Sequence, residues 1–162
     1  MLITVAQDLA AARTLAEVQT IVRSAARALA RADGATFVLR DGDECFYADE
    51  DAVSPLWKGQ RFPLTECISG WAMRHREPVV VPDIHTDERI PQEAYRPTFV
   101  RSMAMVPVGS GEPVAAIGVY WATAGIASAE AIVPVRTLAA LVAMALARLA
   151  SGTSDMAPVL SS

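Results

Sequence analysis

At 162 residues, 52% of them apolar and 20% charged, the chain has the size and composition of one folded domain and not of a disordered segment. Fourteen basic against 18 acidic side chains leave a net charge of −4, which excludes the basic face of a dedicated nucleic-acid binder. Lys58 is the only lysine, which leaves little room for Schiff-base chemistry, and two cysteines, Cys45 and Cys67, form neither a disulfide framework nor a zinc site alone.

Residues 2–12 read as a helical piece. A stronger helix follows over 14–32: Thr14 and Glu17 make a capping box, and Leu15, Val18, Val22, Ala25 and Leu29 recur at steps of three and four. Gly34, after Asp33, is expected to close it in the left-handed conformation. Two β-rich runs, 35–39 and 44–48, flank Asp41-Gly42 and predict a hairpin. The acidic run Asp49-Glu50-Asp51 is expected to be a solvated loop, since it lacks the glycine turn and closing glutamate of a calcium loop. Leu56-Trp57 look exposed, and 61–64 is a short extended piece.

Ser69 is placed to cap a short helix over 69–75, and 78–82 is a buried strand bounded by prolines. Residues 83–99 read as loop with helical turns around 87–90 and 92–95. Runs 102–108 and 113–121 form a second hairpin about Gly109-Ser110-Gly111-Glu112. A last helix covers 128–150, starting or bending near Pro134, and a polar tail over 151–162 is expected to be disordered or to serve as a linker. Hairpins imply an antiparallel sheet, and helices at both chain ends can cover one face together: an α+β, two-layer domain over 1–150. The uncharged stretch 137–147, between Arg136 and Arg148, is shorter than the ~20 residues of a bilayer span, so no membrane insertion is expected. With no signal peptide at the start, a cytoplasmic setting is expected.

From residue 61 to 122 the chain resembles a GAF domain, the small-molecule sensor module of many signalling proteins. The likeness rests on Phe62-Pro63-Leu64, Cys67-Ile68-Ser69-Gly70-Trp71 and the strand ending in Pro82-Asp83, followed by Asp87-Glu88-Arg89-Ile90, the run opened by Arg101-Ser102 and Ala116-Ile117-Gly118. No single piece is specific, but they stand in family order. Within the family the chain is most similar to modules of bacterial sensor histidine kinases. The resemblance implies a central six-stranded antiparallel sheet with the N- and C-terminal helices on one face. A ligand cavity would lie on the other, roofed by 65–76 and 83–99.

On that frame the candidate ligand-binding residues are Phe62, Cys67, Trp71, Asp83, Tyr95, Phe99, Arg101, Met103 and Met105. Trp71, Tyr95 and Phe99 either stack on a flat ligand or fill the space themselves. Met103 and Met105, two apart on a strand, share one sheet face with Phe62 completing an apolar lining. Asp83 is expected to pair with Arg101 or Arg89, or an arginine to fork onto a ligand anion. Cys67 stands where many relatives have glycine, and a helix start would favour its thiolate. The family includes a reductase of free methionine sulfoxide that uses pocket cysteines; here only Cys45 could partner Cys67, from a strand outside the roof.

Haem and bilin find no support. His75 and His85 lack ligand spacing, and Asp83-Ile84-His85 replaces the Asp-Ile-Pro expected for bilin. The Asn-Lys-Phe-Asp-Glu signature of cyclic-nucleotide binders cannot be made with Lys58 alone, and no metal site or catalytic residue is assigned. The last helix carries an apolar stripe at Leu138, Leu141, Val142, Ala145 and Leu149, widened by alanines, which suits a homodimer through terminal helices. The expected function is therefore a non-enzymatic, small-molecule-binding sensory module coupled to an output domain such as a histidine kinase. The alternatives are a cysteine-dependent redox enzyme of the free methionine sulfoxide reductase type and a ligand-free dimerisation domain.

Overall fold

Two helices, α1 (Leu2–Ala11) and α2 (Leu15–Ala30), open the chain in a computed structural model that describes residues 1–161 and the side chains of residues 1–152. The Thr14 hydroxyl accepts from the Glu17 N–H at 3.2 Å, and the Glu17 carboxylate reaches back to the Arg13 N–H, one residue before the usual capping-box partner. The left-handed residue that ends α2 is Arg31, at φ 51°, and not Gly34. Gly34 instead opens β1 (Gly34–Asp41), where a Cβ would lie 3.0 Å from both Ala52 Cβ and Phe99 Cζ. Close packing, not turn geometry, is what glycine serves there.

β1 pairs with β2 (Glu44–Ala52) in the expected hairpin, turning at Gly42 with φ 60°. Phe37 lies opposite Asp49 but Val38 lies opposite Tyr47, so Ala48 is a bulge. Because β2 continues to Ala52, the acidic triplet is strand and not loop. Its side chains alternate across the sheet. Asp49 and Asp51 meet Arg23 and Arg27 of α2 at 3.4 and 2.8 Å, while Glu50 serves the opposite face.

The remaining elements are β3 (Arg61–Pro63), α3 (Ile68–His75), β4 (Val79–Val81), α4 (Gln92–Tyr95), β5 (Ser102–Val108), β6 (Ala115–Trp121) and α5 (Val133–Ser161). Ser69 lies inside α3, whose N-cap is Cys67, and 87–90 is a turn. All six strands join one antiparallel sheet in the order β3-β2-β1-β6-β5-β4, the expected α+β architecture. On one face Val18, Val22, Leu138 and Val142 of α2 and α5 pack against Phe37, Val106 and Ile117. Pro134 stands in the first turn of α5, where a missing N–H costs nothing, so the helix starts there. The stretch Val133–Gly152 is long and apolar enough to cross a membrane by length and composition, more than the 137–147 run suggested; its Val135, Leu138 and Val142 are fully buried against the domain. The stretch 151–162, expected as a tail, continues α5 as far as Ser161, and its side chains are described only to Gly152.

The second face is covered by α3, α4 and their loops over a separate buried cluster. α3 comes so close to the preceding 3-10 turn that a Cβ on Gly70 would sit 1.9 Å from the Leu64 carbonyl oxygen. Backbone cannot yield as a side-chain tip can. Gly70→Ala is expected to destabilise the fold by about 3 kcal/mol or more, read as a lower urea midpoint; wild-type stability would disprove the contact.

Candidate functional site

The second face is organised by one carboxylate. Glu50 accepts the backbone N–H groups of Leu56, Trp57 and Lys58, each at 2.9 Å. This bends the β2–β3 connection inward, so Leu56 and Trp57 are buried at 8% and 4% exposure, against the expectation of an exposed pair. Trp57 donates its indole N–H to the Ala94 carbonyl at 3.0 Å. Its ring stands 4.6 Å from Tyr95, 5.4 Å from Tyr120 and 5.7 Å from Tyr47, centroid to centroid. Phe62 meets Tyr47 edge-on at 5.5 Å.

Between these rings remains a cavity of about 10 Å³, bordered by Tyr47, Trp57, Phe62, Cys67, Pro91 and Tyr95 among others. Tyr120 is tied to Thr36 at 2.8 Å and Tyr47 to Ser69 at 3.0 Å. The Tyr95 hydroxyl, fully buried, has no hydrogen-bond partner among the described residues. Burial holds all three phenols above their ordinary range, so they are neutral donors at physiological pH.

Cys67 borders the same cavity. Its Sγ lies 3.4 Å from the Pro63 carbonyl and accepts from the Ser69 hydroxyl at 3.3 Å. Its thiol is lowered to about 7: a hydrogen bond from Cys45 contributes most, the Ser69 hydroxyl, the Gly70 N–H and the Arg74 charge add to it, and burial opposes them. The Cys45 thiol, donating in that same bond and buried, is pushed up. Cys45 therefore reaches the roofed face after all: alternation along β2 puts Cys45 and Tyr47 on the side of Phe62 and Cys67.

The predicted residues divide accordingly. Phe62, Cys67 and Tyr95 border the cavity, and Met103 and Met105 lie fully buried in the same cluster. Trp71 sits on the outside of α3, stacked on His75 at 3.9 Å and capped by the Arg89 guanidinium at 4.8 Å. Phe99 packs where Gly34 leaves room. The Asp83–arginine pair does not form: Asp83 accepts from the His85 N–H, Arg89 clasps Asp87, and the loop is fastened to Arg101 by its backbone, Ile84 N–H to the Arg101 carbonyl at 3.0 Å. Cys45, Tyr47, Glu50, Trp57, Ser69 and Tyr120 were not anticipated as members of this face. Strand alternation through 44–48 was the signal for Cys45 and Tyr47, whereas Glu50 shares their face only because the bulge at Ala48 shifts the alternation by one residue.

A roofed cleft on one face of a six-stranded antiparallel sheet, with terminal helices on the other, is the arrangement that the motif order implied. Residues 12–147 match the sequence model of the GAF domain, and the chain belongs to that family. The GAF domain of an Acinetobacter phosphoenolpyruvate-protein phosphotransferase is 18% identical, with a TM-score of 0.78 and 94% of each chain covered. Free methionine-R-sulfoxide reductase from Neisseria meningitidis, solved with its substrate, is 18% identical, with a TM-score of 0.76 over 93% of this chain and 89% of that one. A domain of a protein assigned as a two-component sensor histidine kinase from Sinorhizobium meliloti 1021 is 14% identical, with a TM-score of 0.70 over 90% and 99%. At these identities the likeness is one of fold. Curated protein sequences give no match.

Cys45→Ala removes the strongest donor to the Cys67 sulfur, so the Cys67 titration is expected to move up from about 7 toward the ordinary thiol range. Alkylation rate against pH, with iodoacetamide, reads the midpoint; no shift would show that Ser69, Gly70 and Arg74 suffice. The sign for stability follows from the lowered value. The thiolate's contribution is complete above the unfolded pKa and is lost as pH falls through about 7, and Cys45→Ala flattens that dependence.

Proposed function

We propose that this domain is a non-enzymatic sensory module, which takes a small molecule into the cleft beneath 65–76 and 83–99 and passes the change to an output domain, of the histidine-kinase kind, through its terminal helices. A cytoplasmic setting is part of the proposal. The observation that carries it is the buried, unpartnered Tyr95 hydroxyl beside a cavity of about 10 Å³. An unpaired buried hydroxyl costs about 1–3 kcal/mol, which an acceptor on a ligand would relieve. The space holds about one water and falls far below the ~300 Å³ of an open ligand pocket. A ligand therefore enters only as the roof moves, and binding and conformational change become one event. Such coupling is what a sensor needs, because a ligand shifts an equilibrium only through its different affinity for the two states.

The same reading pairs two copies through α1 and α5. Outside the domain's own core, Met144 is 69% and Ile3 77% exposed, and Ala139, Ala140, Ala143 and Met144 border a groove of about 420 Å³. Light scattering at micromolar concentration is expected to give twice the mass of one chain, and Met144→Glu to shift it toward monomer. A monomeric wild type would reject the pairing.

The fold shared with the Neisseria reductase and the burial of Cys45 and Cys67 in one cluster favour one rival, a Cys67-dependent reductase of free methionine sulfoxide. Tyr95→Phe tests the sensor. Without ligand it is expected to raise stability by about 1 kcal/mol, since a hydroxyl with no partner is removed. It is also expected to lose the thermal stabilisation that a small molecule, identified by native mass spectrometry of protein from its own cells, gives to wild type. Turnover of free methionine sulfoxide that vanished in Cys67→Ala would install the rival instead.

A further inference from the structure

We propose that Cys45 and Cys67 form a reversible intramolecular disulfide, in which Cys67 is first oxidised by a small hydroperoxide and Cys45 then closes the bond. The placement comes from the strands. Cys45 pairs with Phe62 across β2 and β3, and β3 runs through Pro63 into a single 3-10 turn, Leu64–Glu66, that brings the chain back as Cys67. Cys67 Sγ then rests 3.4 Å from the Pro63 carbonyl, one residue beyond the partner of Cys45. Both cysteines are free and belong to one buried cluster, and each thiol shifts the titration of the other.

Exposure sets the order of events. Cys45 is wholly buried at 0%, whereas Cys67 keeps 7% and borders the cavity. Cys67 also carries the donors that a thiolate needs, from Ser69 and Gly70, with Arg74 nearby and only neutral phenols facing it from Tyr47, Tyr95 and Tyr120. Its thiolate attacks the outer oxygen of the peroxide bond: S–O forms, O–O breaks, and the alkoxide or hydroxide so displaced takes a proton from solvent. Cys45 sulfur then attacks the Cys67 sulfenic acid, S–S forms, and the expelled hydroxide leaves as water with the Cys45 proton. In sum, two thiols and one hydroperoxide become a disulfide, an alcohol or water, and one water. A dithiol reductant reverses it by exchange. The bond would tie the start of α3 to β2 and remove a negative charge from the cleft. None of this depends on the identity, or the existence, of a ligand for the cleft.

The test uses the full chain, reduced and native, with hydrogen peroxide as the probe. Remaining thiols are alkylated in denaturant, followed by intact mass and peptide mapping. Wild type is expected to lose both alkylatable thiols, to yield a linked Cys45–Cys67 peptide, and to recover both thiols with dithiothreitol. Cys45→Ser should stop at a Cys67 sulfenic acid trapped by dimedone, and Cys67→Ser should leave Cys45 untouched. Any of three results overturns the proposal: two thiols surviving in wild type, links only between chains, or equal oxidation of Cys45 in Cys67→Ser. Should either variant fail to fold by circular dichroism, the wild-type peptide map alone decides.

Discussion

Three consecutive backbone N–H groups, those of Leu56, Trp57 and Lys58, converge on the Glu50 carboxylate. A bend of this kind satisfies no helix or strand ladder, and without an anion its donors would have to face water. Charge-assisted bonds contribute about 1.5–3 kcal/mol each when formed, and their loss in a partly buried setting costs at least as much. What the bend positions matters more than its own energy. It drives Trp57 into the centre of the roofed face, where its indole N–H takes the Ala94 carbonyl and its ring touches three tyrosines. The roof over the cleft is thus anchored to the sheet through Glu50 and Trp57, although neither belongs to the roof.

The two faces of the sheet are held by different physics. The helix face is a continuous aliphatic layer in which period-two strands meet period-3.6 helices, and its outer charges, Arg23 and Arg27 against Asp49 and Asp51, fix α2 on the strand. The roofed face is assembled from loops and short turns, whose backbone groups must be satisfied one at a time. Its residues therefore carry hydroxyls, thiols and an indole: Thr36 with Tyr120, Tyr47 with Ser69, Ser69 with Cys67, Trp57 with Ala94. Tyr95 stands outside this network, and its unpaired hydroxyl is where the face is incomplete.

That difference explains what could be read beforehand. The α2 stripe, both hairpins and the helix-over-sheet arrangement were legible because burial imposes a period on the residues. That Cys67 and Tyr95 lie on this face was legible because motif order locates the roof, and that Met103 and Met105 do because two-residue spacing shares a face, with Phe62 read as part of the same apolar lining. Glu50 was not, since three acids in a row look solvated until the strand is known to run through them to Ala52. Trp57 was obscured by the same error, its burial being a consequence of Glu50. The Asp83–Arg101 pair failed for another reason. Opposite charges at matching places predict attraction but not geometry, and here the Asp83 carboxylate turns to the His85 N–H close at hand.

A thiol lowered to about 7 beside a nearly filled cleft would link two otherwise separate inputs. Any ligand in that space would meet Cys67 and the Tyr95 hydroxyl together, because both border it. Converting the thiolate to a neutral disulfide removes a charge from a region of low polarity, where charge interactions are weakly screened. An anionic ligand is then less repelled in the oxidised form, and a cationic one less attracted. By reciprocity the anion would favour the disulfide to the same degree that the disulfide favours the anion. On the two proposals together, redox state and ligand occupancy would be two readings of one small volume. The electrostatic part of that coupling takes its sign from the ligand's charge, and the tether between α3 and β2 adds a part that does not.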